Sequence, residues 1–275
     1  MTDGPSALDA ALAACSEDAL AAARRRLAAV RERISRAAAD AGRRPEDVSL
    51  LAVTKSRPPE ALLLLHAAGQ RAFGENRVQE LLAKQDAMSA WELEADWQLI
   101  GTLQRNKVRH LVHRVGLIHS VHSLRLLQAL ENMGDRNGMH PEVLLQVNWS
   151  REESKSGFAP GELDEALRHA RDLEWVRVRG LMTMAAPGLD RAAQERFFGR
   201  VRDEFDRVRG DVSLTGGMDF DTLSMGMTDD FEAAVRCGST LVRIGRALFE
   251  NADARPAVRP NSCAADCEHE PETRK

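Results

Sequence analysis

From Val48 onward the chain alternates between short apolar or β-branched runs and longer stretches whose apolar residues recur at helical spacing. The short runs, 48–54, 70–73, 97–100, 117–121, 143–147, 176–182, 222–225 and 241–244, predict eight strands. The helical patterns between them are 59–68, 77–88, 104–112, 123–133, 161–171, 191–209 and 228–237. Such alternation predicts parallel strands joined by helical crossovers. Eight of them predict an α/β fold of a single domain, a closed (β/α)8 TIM barrel. An open doubly wound sheet is the alternative, because 70–73 and 222–225 are weak strands. Ahead of the barrel, residues 17–41 form one helical pattern with Leu20, Leu27, Val30 and Ile34 in register and Gly42 as its stop. Its many arginines read as a solvated face. Past residue 250 the apolar pattern ends, and Pro256, Pro260 and Pro271 lie among polar and charged residues. The expected organisation is an N-terminal extension and extra helix over 1–47, the barrel over 48–250, and a disordered C-terminal tail over 251–275.

Composition narrows the function. The 275 residues are 43% hydrophobic and 29% charged, which suits a soluble globular domain. A net charge of -4 argues against a general nucleic-acid binder. No apolar run nears the roughly 20 residues of a membrane span, and the N-terminus lacks the basic start and apolar stretch of a secretory signal. Cys15, Cys237, Cys263 and Cys267 show no framework spacing, so a reduced cytoplasmic location is expected. Cys263 and Cys267, with only His269 nearby, are an incomplete zinc set. The eight histidines, including His110 and His113 three apart on a helix, read as surface residues, and no metal is expected. Tyrosine is absent, which excludes any mechanism needing a phenol from this chain.

Chemistry gathers where strands end. Strand 1 closes in Lys55, and Arg57-Pro58-Pro59 turns the chain. The carboxyl ends of barrel strands face the active site, which puts Lys55 at the mouth among apolar neighbours. Partial desolvation there favours the neutral amine, which can attack an aldehyde; the plain alternative is a solvated lysine just past a strand. After strand 7 come Ser224, Gly226 and a helix start near Thr228, backed by Asp229 and Asp230. After strand 8 come Gly245 and Arg246, with Arg243 directed opposite Val242. Backbone N–H groups in such turns hold phosphate, and the loops after strands 7 and 8 are where barrels place it. Ordinary capped loops, and an interior ion pair for Arg243, are the alternatives. Asn76, in Gly74-Glu75-Asn76-Arg77, offers an amide at the same mouth, beside the loop Gly101 to Lys107. Glu75, Arg77 and Lys107 read equally as loop salt bridges. The segment 146–158 is a polar loop without metal or nucleophile–base spacing. Neither a serine nucleophile elbow nor a glycine-rich dinucleotide fingerprint occurs.

In order, AVTKSRPP, FGENRVQE, WQLIGTLQRNK, VNWSREESKSGF, RGLMTMAAP and LSMGMTDDFEAAVRCGSTLVRIGRALF resemble the pyridoxal phosphate homeostasis protein family, from Val48 to Phe249. The resemblance implies a single barrel of the alanine racemase N-terminal type. It implies that Lys55 carries pyridoxal 5'-phosphate (PLP) as a Schiff base. By the same resemblance Ser224, Gly226, Gly245 and Arg246 fall where the family binds the phosphate, largely through backbone N–H groups. Arg243 matches the arginine facing the pyridine nitrogen, and Asn76 the asparagine near the ring hydroxyl. The chain departs from the pattern at Gln98, where many relatives have His, at Arg77, where many have an aromatic, and at Arg246, which replaces a small residue. A cation beside the pyridine nitrogen keeps it unprotonated and the ring a weaker electron sink. Racemases of this barrel type use a lysine and a tyrosine from a second domain. With no tyrosine and about 25 polar residues after strand 8, the expectation is a monomeric, cytoplasmic PLP-holding and delivery protein, with PLP-dependent apoenzymes as its partners. A racemase or lyase of low activity is the alternative.

Overall fold

The computed structural model describes residues 6–149 and 156–249. Eight parallel strands close into one barrel in sequence order: β1 Ser49–Val53, β2 Ala72–Glu75, β3 Asp96–Leu99, β4 Leu117–Val121, β5 Glu142–Gln146, β6 Arg177–Met182, β7 Thr222–Ser224 and β8 Leu241–Ile244. Closure is made by β8 on β1, with Leu50 opposite Val242 and Ala52 opposite Ile244. The open sheet is therefore excluded. The helices are α1 Ala7–Ala13, α2 Glu17–Asp40, α3 Pro59–Ala67, α4 Val78–Ala90, α5 Val108–Leu111, α6 Leu124–Asn137, α7 Leu163–Arg171, α8 Arg191–Gly210, α9 Val212–Thr215, α10 Phe231–Arg236 and α11 Arg246–Phe249. The tail expected to be disordered, with Cys263, Cys267 and His269, lies outside the described residues, as does part of the polar loop after β5.

Local chemistry sets these boundaries. Pro59 opens α3 at its first helical position, where a missing N–H costs nothing. Ser123 caps α6 by accepting from the Leu126 N–H, and Asp190 caps α8 through Ala193. The second strand begins two residues later than the apolar run predicts. Gln70 ends its own run instead, its amide donating to the carbonyls of Leu50 and Ala72 at 2.8 Å each. The helix expected from Thr228 starts at Phe231, because the Asp230 carboxylate accepts the Met227 N–H at 2.6 Å and folds residues 227–230 into a turn. In α2 the buried line is Ala23, Leu27, Val30, Ile34, Ala37 and Ala38, and it packs on α3, α10 and α11. Its arginines are not all solvated: Arg33 pairs with Glu232 at 2.9 Å, and Arg26 donates to the carbonyl of Leu248 at 3.0 Å.

Two apolar regions result. The larger fills the space between strands and helices. The smaller lies inside the barrel, where Leu51, Leu117, Leu144, Met182 and Leu241 meet. The interior also holds polar side chains, among them Gln98, His119, Ser224 and Arg243.

Candidate functional site

A cavity of about 450 Å³ opens at the carboxyl ends of the strands. Val53, Ile100, Met182, Met184 and Met227 supply its apolar wall; Lys55, Asn76, Gln146, Arg243, Gly245 and Arg246 supply polar groups. Five of the seven sequence-predicted site residues thus line one cavity. Ser224 and Gly226 do not line it but lie immediately behind.

Lys55 stands in the turn after β1, closed by the Arg57 N–H donating to Thr54 at 3.0 Å. Its side chain is exposed, so the desolvation expected from its apolar neighbours is not there. The next residue, Ser56, takes a φ of +59°, a left-handed conformation that few non-glycine residues adopt. Beneath this turn lies a buried pair that sequence reasoning missed. The Lys84 ammonium, from α4, donates to the Thr54 carbonyl at 2.8 Å and to Glu75 Oε1 at 2.5 Å. Thr54 Oγ1 donates to the same carboxylate oxygen at 2.5 Å, and Glu75 Oε2 has no partner among the described residues. One ion pair therefore pins the residue before Lys55 to the residue before Asn76. The only sequence signal was a lysine nine residues after a glutamate, on a helix face that turns inward. Asn76 is fixed from its other side by Gly101, where any Cβ would collide with the Asn76 carbonyl oxygen.

The β7 and β8 loops border the same cavity as Lys55, with Gly245 packed beside Val53 of β1. Gly226 has a φ of +95°, and a Cβ there would stand 2.6 Å from that of Ala234, so only glycine fits. The backbone N–H groups of Gly226, Thr228, Asp229, Gly245 and Arg246 donate to no acceptor among the described residues. The exposed Arg246 guanidinium pairs with Asp229, joining the β8 and β7 loops. Asp230 is buried below the loop, which pushes its carboxyl above the ordinary range.

Arg243 forms part of the floor. It is buried, and Nη1 donates to Ser224 Oγ at 2.6 Å while Nη2 donates to the Thr183 carbonyl at 2.9 Å. Its polar contacts are a hydroxyl and a carbonyl, not the interior ion pair that was the alternative. Burial brings its pKa down to about 10, with the Asp230 carboxylate opposing, so the side chain remains a cation at neutral pH. His119, expected on the surface with the other histidines, is fully buried inside the barrel. Arg77 pairs with Glu80 outside the site. No cluster of three or more metal-ligating side chains occurs among the described residues, and no described helix is long and apolar enough to cross a membrane. The site thus brings one primary amine, a set of uncommitted N–H donors and a buried cation to one cavity.

A closed barrel with this site defines the class of the alanine racemase N-terminal domain, whose family pattern matches residues 26–252. Within that class the chain belongs to the pyridoxal phosphate homeostasis protein family. The Pseudomonas aeruginosa member is 44% identical over 224 residues, covering 81% of this chain and 93% of that protein. Among solved structures, PipY of Synechococcus elongatus with PLP bound superposes with a TM-score of 0.72 at 34% identity, covering 83% of this chain and all of that one. Alanine racemase from Corynebacterium glutamicum shares the fold, with a TM-score of 0.64 at 16% identity over 84% of this chain and 61% of its own.

Proposed function

We propose that this protein binds PLP in the mouth cavity and serves its homeostasis, holding the cofactor and passing it to PLP-dependent apoenzymes in the cytoplasm. The observation that carries this reading is the meeting, on one 450 Å³ cavity, of an amine, an anion cradle and a buried cation. The volume lies within the range of about 300–1,000 Å³ typical of small-ligand sites. When bound, PLP supplies an aldehyde that condenses with amines and a ring that draws electrons from what is attached to it. Lys55 is the only lysine among the lining residues and provides the attachment amine. The uncommitted N–H groups of Gly226, Thr228, Asp229, Gly245 and Arg246 receive the phosphate. Ser224 acts from behind the cavity, its hydroxyl already serving Arg243. Arg246 exchanges one exposed carboxylate, Asp229, for the phosphate dianion.

Asn76 serves the ring hydroxyl, and Arg243 meets the ring nitrogen. A second positive charge beside this guanidinium is disfavoured, so the nitrogen stays unprotonated and the ring withdraws electrons weakly. That suits holding better than turnover. The chain also has no tyrosine to act as the second base of a racemase. The reading is of a monomeric carrier.

Borohydride reduction of the PLP-treated protein, followed by peptide mass spectrometry, tests the assignment. The expected result is one reduced adduct, on Lys55, absent from Lys55→Ala. An adduct confined to another lysine, or none at all, overturns it. Incubation of the loaded protein with a PLP-free aminotransferase then tests delivery, with recovery of aminotransferase activity expected.

A further inference from the structure

Arg243 is the upper end of a chain of side chains that runs through the barrel to its opposite face. Below it, Ser224 Oγ lies 3.0 Å from His119 Nδ1. His119 Nε2 lies 2.8 Å from Gln98 Oε1, and the Gln98 amide nitrogen is 2.6 Å from Asp96 Oδ2. Arg243, Ser224, His119 and Gln98 are all buried, whereas Asp96, at the start of β3, is exposed. A second cavity, of about 560 Å³, opens at this amino-terminal end and is lined by Asp96 and Gln98.

The direction of every bond in this chain is determined by its ends. Guanidinium has only donors, and a carboxylate has only acceptors. Ser224 Oγ accepts from Arg243, so its own proton is free for His119 Nδ1. Gln98 turns its NH₂ to Asp96, so its oxygen faces His119 and requires a proton on Nε2. Nδ1 must then carry the lone pair that takes the serine proton. In the neutral ring, moving the proton to Nδ1 sets the Nε2 lone pair against the Gln98 oxygen, and turning Gln98 over sets that oxygen against the Asp96 carboxylate, each an acceptor facing an acceptor in a buried site.

We propose that Ser224, His119 and Gln98 are positioning residues that form a one-way hydrogen-bond relay anchored on Asp96, and that this relay fixes the Arg243 guanidinium where the ring nitrogen of PLP meets it. The proposal rests on the PLP reading of the cavity for its functional half, but the relay itself is a property of the protein alone. Burial first, and the Arg243 charge second, hold the His119 ring well below the ordinary imidazole value, in keeping with the neutral form the relay needs.

The test begins on ligand-free protein with ¹⁵N-labelled imidazole. At pH 7, long-range ¹H–¹⁵N correlation spectra should show His119 as a single neutral tautomer protonated at Nε2. An Nδ1–H tautomer, a mixture, or a doubly protonated ring in the unmodified protein overturns the relay. Gln98→Leu, which removes the acceptor, should abolish the pure Nε2–H signature, and Asp96→Asn, which keeps an acceptor oxygen for the Gln98 amide, should retain it. The functional half is read by PLP titration: Gln98→Leu should weaken binding by about tenfold, about 1.4 kcal/mol, and Asp96→Asn less. Unchanged affinity in folded Gln98→Leu overturns the link to Arg243. Failure of the unmodified protein to bind PLP sinks the cofactor reading instead, and leaves the tautomer result standing.

Discussion

At the amino-terminal rim of the barrel, Arg179 on β6 reaches Glu142 on β5 at 2.9 Å and Asp221 ahead of β7 at 2.7 Å, tying three neighbouring strands together. At the carboxyl rim, Lys55 meets no carboxylate among the described residues, five backbone N–H groups lack acceptors, and one exposed ion pair joins the β7 and β8 loops. The two rims are built from the same strands, yet one has its polar groups engaged with each other and the other holds them ready. Barrels divide labour in this way: the lower face serves stability and the upper face chemistry. The difference shows that a ligand site is recognised less by which residues are present than by which of them the protein has left without partners.

The uncommitted mouth needs a rigid base, and the largest expected effect comes from removing it. Lys84→Met leaves the Glu75 carboxylate buried without its cation, one of its oxygens already orphaned. Loss of one partner from a buried pair costs about 3–5 kcal/mol. Urea unfolding of Lys84→Met should show that loss, and Lys84→Met combined with Glu75→Gln should recover most of it. A change below about 1 kcal/mol in the single variant would mean that the mouth is not held up by this pair. Next in size is the pH response of the interior. The folded His119 stays neutral below the pH at which the unfolded side chain protonates, near 6.5, so the unfolded state binds the extra proton. Stability therefore falls as pH drops below about 6.5, by up to about 1.4 kcal/mol per unit. His119→Asn should flatten that slope between pH 6.5 and 5.5 in urea titrations; parallel curves for the two proteins would contradict it.

Much of this was legible in the sequence, for identifiable reasons. Strands β4 and β8 fall on their apolar runs without a residue of error, because buried parallel strands are continuous hydrophobic segments bounded by turns. The mouth was legible because Lys55, Asn76, Gly245 and Arg246 each directly follow or end near a strand, so chain order alone brings them together. What lay beyond reach was pairing across the barrel. His119 and Gln98 sit on neighbouring strands, and nothing in either local pattern distinguishes an inward histidine from a surface one. Lys84 looked like any helix lysine, since its partner is fixed by how α4 docks on β2. Short helices α1, α9 and α11 carry too few residues for a periodicity to register.

The remaining predictions sharpen the contrast between the rims. Arg179→Ala breaks two part-exposed ion pairs, and such pairs contribute at most about 1 kcal/mol each. It should lower stability by about 1 kcal/mol while leaving covalent PLP capture unchanged. Lys55→Ala should do the reverse: capture is lost, and stability stays within about 0.5 kcal/mol because the side chain is exposed. Equal losses of stability in both variants would erase the distinction.

The smallest effect belongs to Ser56, beside the attachment amine. Its left-handed φ of +59° costs a non-glycine residue about 1–2 kcal/mol, whereas glycine there would add about 0.5–1 kcal/mol of unfolded-state entropy. The strain is the larger quantity, so Ser56→Gly should stabilise the protein by about 0.5 kcal/mol. A serine retained against that gradient makes sense only if a stiff turn aims Lys55 into the cavity. Ser56→Gly should therefore slow PLP capture in stopped-flow absorbance even as urea unfolding shows a gain. A gain in stability with no change in capture rate would show that the turn's strain has no part in the site.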